Sequence, residues 1–447
     1  MGPDGSERKK CMPSAPHFGR LRNAIMSSGL FTIDAASPVL RHNLAINVQQ
    51  GVYSVVSANL IAPFLGIFAV RIGASNVEVA MLSSLPALMG ILAMVPGAWF
   101  IDRRTDPKRI TCAFLLAHRA FYLVIAAIPF VTPNRQAAML VAAVALMNLP
   151  GAVGNVGWQA LVSRVIPPEH RAVAFATRNR LMNLTGTITV LIAGRSIDLL
   201  GQPTGYQVAF ALAFAFAVGE VAVLNRMQDP ARETVVPSSP ANGASSRFSI
   251  RQHPRFLRYM LLSTLFYLTW QVPWPVFTLY QVRELGANNL WISLLNLANT
   301  GGSLVGFGFW ARYANRHGHL RTLAVSSVGM FIVPVIYAFS RSLATLTAFN
   351  LLTGSIFSGI NLSLFNYLLE VTPEDRRTTY IATYTTVVNC SSILAPMIGV
   401  ALLGAIGFRY TFLLSAGLRV LGSLLYHGLY HVENRARAAG QVQVSGS

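Results

Sequence analysis

Pro63 to Ala74 reads PFLGIFAVRIGA, and Pro275 to Ala287 reads PVFTLYQVRELGA. Pro, Val, Arg, Gly and Ala recur at an offset of 212, which becomes 213 after one inserted residue. A second echo follows: Pro168-Glu169-His170-Arg171 with Phe175 returns as Pro373-Glu374-Asp375-Arg376 with Tyr380, 205 positions on. Both repeats border long apolar runs. Two similar apolar halves in one chain are the usual sequence sign of a membrane carrier built by duplication.

Composition agrees. Of 447 residues, 53% are apolar and 11% charged, with a mean hydropathy of +0.49; soluble domains carry about 25% charged residues. The net charge of +19 would suggest nucleic acid in a soluble protein. Here the basic residues sit in short loops between apolar runs, so a basic membrane face is expected and nucleic acid is not. Cys11, Cys112 and Cys390 are scattered, with neither metal-ligand nor disulfide spacing. No cofactor or metal is expected. The first residues lack the apolar core of a signal peptide and read as a basic tail, within which Met26 is an alternative start.

A span needs about 20 mostly apolar residues. Twelve segments meet that length: 45–70, 79–101, 110–131, 136–163, 177–199, 206–226, 257–280, 289–311, 322–340, 342–369, 379–404 and 410–430. Alternate loops differ in charge. Arg103, Lys108, Arg164, Arg171, Arg312 and Arg376 fall on the side of the termini, against mainly Arg71, Arg135, Arg283, Arg341 and Arg409 on the other. The positive-inside rule then puts both termini in the cytoplasm, and a bacterial inner membrane is expected. The connection at 227–256 contains Pro237-Ser238-Ser239-Pro240, a linker composition. The organisation expected is a tail (1–43), a six-helix half (44–226), the linker (227–256), a second six-helix half (257–431) and a closing tail (432–447).

After the second span the chain reads Ala98-Trp99-Phe100-Ile101-Asp102-Arg103, then Lys108-Arg109. After the eighth it reads Ala311-Arg312-Tyr313-Ala314-Asn315-Arg316-His317-Gly318, then Arg321. These loops resemble the G-x-x-x-D-R-x-G-R-[KR] loop of the major facilitator superfamily, and the resemblance in span count, duplication and linker covers nearly the whole chain. Alanine stands where that family has glycine, Asn315 replaces the second acid, and two extra residues surround Asp106-Pro107. The resemblance implies an all-α membrane fold of two pseudo-symmetric six-helix bundles. It also implies a gate at Asp102, Arg103, Asn315 and Arg316, where helix-end charges pair across the bundle interface and release as the halves rock. Arg171, Arg178 and Arg180 read as an interfacial belt at the start of the fifth span.

In that family the first, fourth, seventh and tenth spans line a central cavity. Here the first carries Gln50 and Tyr53, and the fourth Asn155, Trp158 and Gln159. The seventh carries Trp270, Gln271 and Trp274, and the tenth Asn361. Amides facing hydrocarbon are costly, so these are candidate substrate contacts in a wet cavity. Arg119, nine residues into the third span and roughly 13 Å deep at 1.5 Å per residue, is expected to pair with Glu220 on the sixth, as a structural or coupling ion pair. Arg419, near the middle of the twelfth, has no evident partner. The lining spans hold no membrane-centred acid, which leaves Glu220 as the place for a coupling proton.

The function expected is alternating-access transport of a small organic solute by a monomer in the lipid bilayer. A non-transporting solute sensor on the same fold is the alternative, consistent with the degenerate gate. No catalytic constellation of acids, histidines or nucleophiles appears in the spans, so an enzyme is not expected.

Overall fold

The computed structural model describes residues 37–103, 106–131, 133–228, 252–373 and 377–445. Most of the N-terminal tail, most of the central linker and the Glu374–Arg376 copy of the second repeat lie outside the described residues. The rest is helical. The first span is Pro38–Asn59 followed, after a tight turn at Ala62–Phe64, by Leu65–Arg71. The second to sixth are Asn76–Asp102, Pro107–Ala127, Pro133–Val165, Pro168–Leu200 and Thr204–Asn225. The seventh is broken into Pro254–Gln271 and Trp274–Leu279, with the turn Tyr280–Glu284 after them. Asn289–His317 is the eighth, His319–Val328 with Ile332–Phe339 the ninth, and Leu343–Val371 the tenth. Arg377–Ser445 holds the eleventh and twelfth, divided at Gly407. Its φ of 72° is a left-handed conformation that a side chain would disfavour, so the reversal is placed on glycine.

Several helices begin before their apolar runs. The first starts at Pro38, where the Ser37 hydroxyl accepts from Leu40 N at 3.5 Å and proline occupies the first turn. The fifth starts at Pro168 rather than 177, and Arg171 reaches back to the carbonyls of Ile166 (2.9 Å) and Ser163. Hydropathy sees the membrane-buried length, whereas capping decides where the helix starts. Asp106 explains the two extra residues of the gate-like loop: its carboxylate accepts from Arg109 N at 3.2 Å and caps the third span.

The inserted residue of the opening repeat has a structural counterpart. Both copies end a span on a left-handed glycine, Gly73 (φ 85°) and Gly286 (φ 64°). In the first copy Ala74 N bonds to Ala69 O; in the second, Ala287 N bonds to Gln281 O, one residue further back. The extra residue is absorbed as the single π turn Tyr280–Glu284, which keeps the helix end in register.

The first, third, fifth and sixth spans pack together, as do the second, third and fourth; the seventh, ninth and tenth pack with the last two and the eighth. Between halves, the second span meets the long last helix and the fifth meets the eighth. At the end of the bundle away from the termini, one apolar cluster runs through both halves, including Phe64, Phe68, Phe210, Val276, Leu295 and Phe412. At the terminal end the cores are separate. Phe256, Tyr259, Tyr367 and Tyr426 belong to the second half, and Ile46, Leu161 and Leu224 to the first. Among the described residues, the halves therefore share a core at one end only.

Candidate functional site

In the first half, Glu220 is 2% exposed and joins two spans. Its Oε1 accepts from Gln50 Nε2 at 2.8 Å, and its Oε2 lies 3.1 Å from Arg119 Nη2. The Gln50 amide is thereby oriented: its nitrogen donates to the acid, so its oxygen is left to accept from Arg178 Nη1 at 2.6 Å. Arg178 Nη1 also donates to Asn47 O and Oδ1, at 2.5 and 3.0 Å. Its guanidinium lies 4.6 Å from the centre of the Trp158 ring. Gly51 makes the seat, because a Cβ there would come within 2.9 Å of the Arg178 guanidinium carbon. Arg119 donates to Ser54 Oγ at 3.2 Å and to the Tyr122 hydroxyl.

This network borders a cavity of about 350 Å³, lined by Gln50, Ser54, His118, Arg119, Asn155, Trp158, Arg178 and Glu220 among others. Asn155 is exposed, which opens the cavity to solvent. His118 donates from Nδ1 to Met147 O at 2.6 Å, beside the Pro150 kink, in a slot kept free by Gly151.

Of the residues expected from the sequence, Gln50, Asn155, Trp158, Arg119 and Glu220 are brought together here. Tyr53 turns instead to the sixth span, against Gly219 and Phe216. Gln159 and Asn361 are exposed and border neither this cavity nor the one described below. Arg178 departs from the belt reading: it is 6% exposed and faces inward, while Arg180 two residues on is exposed. About half a turn of helix separates an exposed arginine from a buried one.

In the second half, Trp270 is surrounded by rings, with centroids of Tyr267, Phe357 and Trp274 at 5.3, 5.5 and 6.0 Å. Neither its Nε1 nor Gln271 Oε1, both buried, has a partner among the described residues. Trp274 is 43% exposed. Arg419 is 1% exposed and donates to the main chain, from Nη2 to Trp270 O at 2.8 Å and from Nη1 to Met330 O at 3.1 Å. Both carbonyls sit at helix breaks, where Pro273 and Pro334 interrupt the ladder.

Of the gate residues, Arg103 stacks its guanidinium 3.6 Å from the centre of the Trp99 ring, and Asn315 and Arg316 are exposed at the end of the eighth span. The Asp102 side chain lies outside the described residues.

Hydrogen bonds between the halves are found at the end away from the termini. Asp198, near the end of the fifth span, accepts from Asn289 N (3.1 Å), Asn289 Nδ2 (2.8 Å) and Leu290 N (2.8 Å), the first turn of the eighth. Tyr206 donates to Asn289 Oδ1 at 2.8 Å, and Ser293 donates to Val190 O at 2.8 Å. Arg283, from the opening repeat, donates to Ala74 O and Asn76 Oδ1 at 2.6 and 2.5 Å. Just inside this seam is a second cavity of about 290 Å³, between the first, fifth and eighth spans, lined by Asn59, Asn183, Thr187, Asn296 and Thr300 with apolar neighbours. Arg283 and Ala74 belong to the opening repeat, but Asp198, Tyr206, Asn289 and Ser293 did not stand out in the sequence, because a lone polar residue near a span end is indistinguishable from an ordinary helix cap.

The Major Facilitator Superfamily profile matches residues 51–268 and 259–444. The chain belongs to that superfamily. Among curated proteins it is similar to the multi-drug resistance efflux pump PmrA of Streptococcus pneumoniae serotype 4, 24% identical over 408 residues, covering 87% of this chain and 89% of the pump. Among solved structures it is similar to a mutant of the nucleoside transporter NupG, with a TM-score of 0.67 at 11% identity, covering 86% of this chain and 100% of that one. A bacterial homologue of the human lysosomal transporter Spinster, in an inward-facing state, aligns with a TM-score of 0.66 at 12% identity over 88% of this chain and 97% of the other. The twelve-helix, two-bundle fold and membrane residence follow from this membership. The superfamily is one of transporters, and an enzymatic role has no support in it.

Proposed function

We propose that this chain carries a small organic solute across the membrane by alternating access, and that the structure is its inward-facing state. The observation behind this reading is the one-sided closure. The halves share a core and hydrogen bonds at the end away from the termini, and have separate cores at the terminal end. With the basic loops on the terminal side taken as cytoplasmic, the open side faces the cytoplasm. PmrA, named a multi-drug efflux pump, supports an organic cargo. The pathway lies between two halves of one chain, so a monomer suffices. Reconstitution into proteoliposomes tests it: a panel of radiolabelled organic solutes should show protein-dependent flux that Gly194→Leu, which keeps the seam from closing, reduces strongly. Solute binding with no flux under any imposed ion gradient would sink the reading.

A further inference from the structure

Among the described residues, two buried arginines have no carboxylate of their own, and they are treated differently. Arg419 is walled in at 1% exposure and commits both Nη groups to main-chain carbonyls at helix breaks. Arg178 instead borders the 350 Å³ cavity of the first half, where its partners are the neutral oxygens of Asn47 and Gln50 and the Trp158 ring. Arg119 borders the same cavity. Its Nη2 is paired with Glu220, while its Nε has no partner among the described residues. The Trp158 indole Nε1 is also buried without a partner. Among the described lining residues, two guanidinium groups therefore face a single carboxylate. The cavity carries one uncompensated positive charge beside an aromatic ring.

We propose that this cavity is a binding site for a small organic monoanion, a carboxylate on a compact ring-sized body. The carboxylate would take charge-assisted bonds from Arg178, and the body would lie against Trp158. The inference rests on the transport reading and gives it a substrate class. The volume fits: small-molecule sites run from about 300 Å³ upward. Glu220 has a definite part, since it neutralises one of the two arginines and leaves a site for one negative charge. The electrostatics also link occupancy to closure. In the inward-facing state water enters past Asn155 and screens the excess charge. Closing the halves over the terminal end expels that water, and an unpaired buried guanidinium is costly. A bound anion removes the cost, so the loaded carrier closes more readily than the empty one.

The test uses the full chain in detergent or nanodiscs and three probes of one shape: benzoate, benzamide and benzylamine. Calorimetry and thermal shift on the wild type should show benzoate, or the related carboxylates phenylacetate and salicylate, binding about tenfold or more tighter than the neutral amide, a difference worth about 1.4 kcal/mol. Arg178→Gln should erase that preference, and Glu220→Gln should strengthen it. The wild-type series stands by itself if either variant fails to fold. Benzamide or benzylamine binding as tightly as the best carboxylate, no binding by any of the three carboxylates, or a preference that survives Arg178→Gln would each overturn the proposal. Proteoliposome flux separates the two readings. Flux of neutral solutes without anion preference would remove the anion site and leave transport standing. Anion binding without flux would leave the site and remove transport.

Discussion

Removing Glu220 has a cost that depends on what happens to Arg119. The pair is buried, with side-chain exposures of 2% and 10% and an N–O distance of 3.1 Å. Breaking a buried pair from one side leaves an uncompensated charge, typically a loss of about 3–5 kcal/mol, whereas replacing both members by neutral groups of similar volume is often nearly free. Glu220→Gln and Arg119→Met should therefore each lower the melting temperature in detergent more than the double variant does. A double variant as unstable as the sum of the two singles would show that the charges act independently, and the network description would fail. Arg419 makes the opposite prediction. Its charge answers to carbonyls rather than to an acid, so Arg419→Met should strip two donors from buried oxygens at the breaks of the seventh and ninth spans. The expected loss is about 2 kcal/mol or more, from charged hydrogen bonds left unmade; Arg419→Lys, which keeps the charge and part of the donor set, should recover some of it. Wild-type stability in Arg419→Met would mean that the carbonyls at the breaks need no partner.

At the level of helices, the contact between the fifth and eighth spans depends on a residue without a side chain. A Cβ on Gly194 would come within 2.7 Å of Asn289 O and overlap the Ser293 hydroxyl, which itself bonds back to Val190 O. Gly194→Leu should hold these two spans apart and shift the population toward a state open at that end. Cysteines introduced at the seam should then react faster with a membrane-impermeant thiol reagent added from the outside; unchanged labelling rates would show that the close approach is not what closes the seam. Such approaches mark the limit of what the sequence could disclose. Twelve spans were legible because bilayer thickness dictates the length of an apolar run, and the repeat was legible because both halves need the same left-handed glycine at a span end. Membrane depth also pointed to Arg119 and Glu220. Arg178 was not legible: beside Arg171 and Arg180 it has the charge signature of a surface belt, and its seat exists only because Gly51 of another span comes opposite it. Likewise, proline kinks could be read in the chain, but not which side chain would answer each freed carbonyl.

Across the whole molecule, the opening repeat lies on the seam that closes. Arg71 donates to the Tyr206 hydroxyl at 3.2 Å, Tyr206 donates to Asn289 of the other half, and Arg283 crosses the other way to Ala74 and Asn76. The duplicated arginines therefore serve one interface from both sides. Asp198 is its electrostatic centre, because a carboxylate from the first half sits on the N-terminal N–H groups of the eighth span, where the helix dipole favours negative charge. Asp198→Asn keeps the shape, removes the charge, and turns one acceptor into an N–H donor facing another N–H. Charge-assisted bonds of this kind contribute about 1.5–3 kcal/mol, enough to change the ratio of closed to open seam by roughly tenfold or more, since each 1.4 kcal/mol is a factor of ten. Spin labels at exposed Leu200 and Glu284, on opposite halves near this end, report the ratio directly. In the wild type a short, narrow distance distribution should dominate, and Asp198→Asn should add a longer component that grows at the expense of the first. On the proposed rocking of the halves as units, the same variant should shorten distances between labels at the terminal ends of the two halves. A lengthening at one end without shortening at the other would mean that Asp198 secures a local helix cap and not the seam of an alternating carrier.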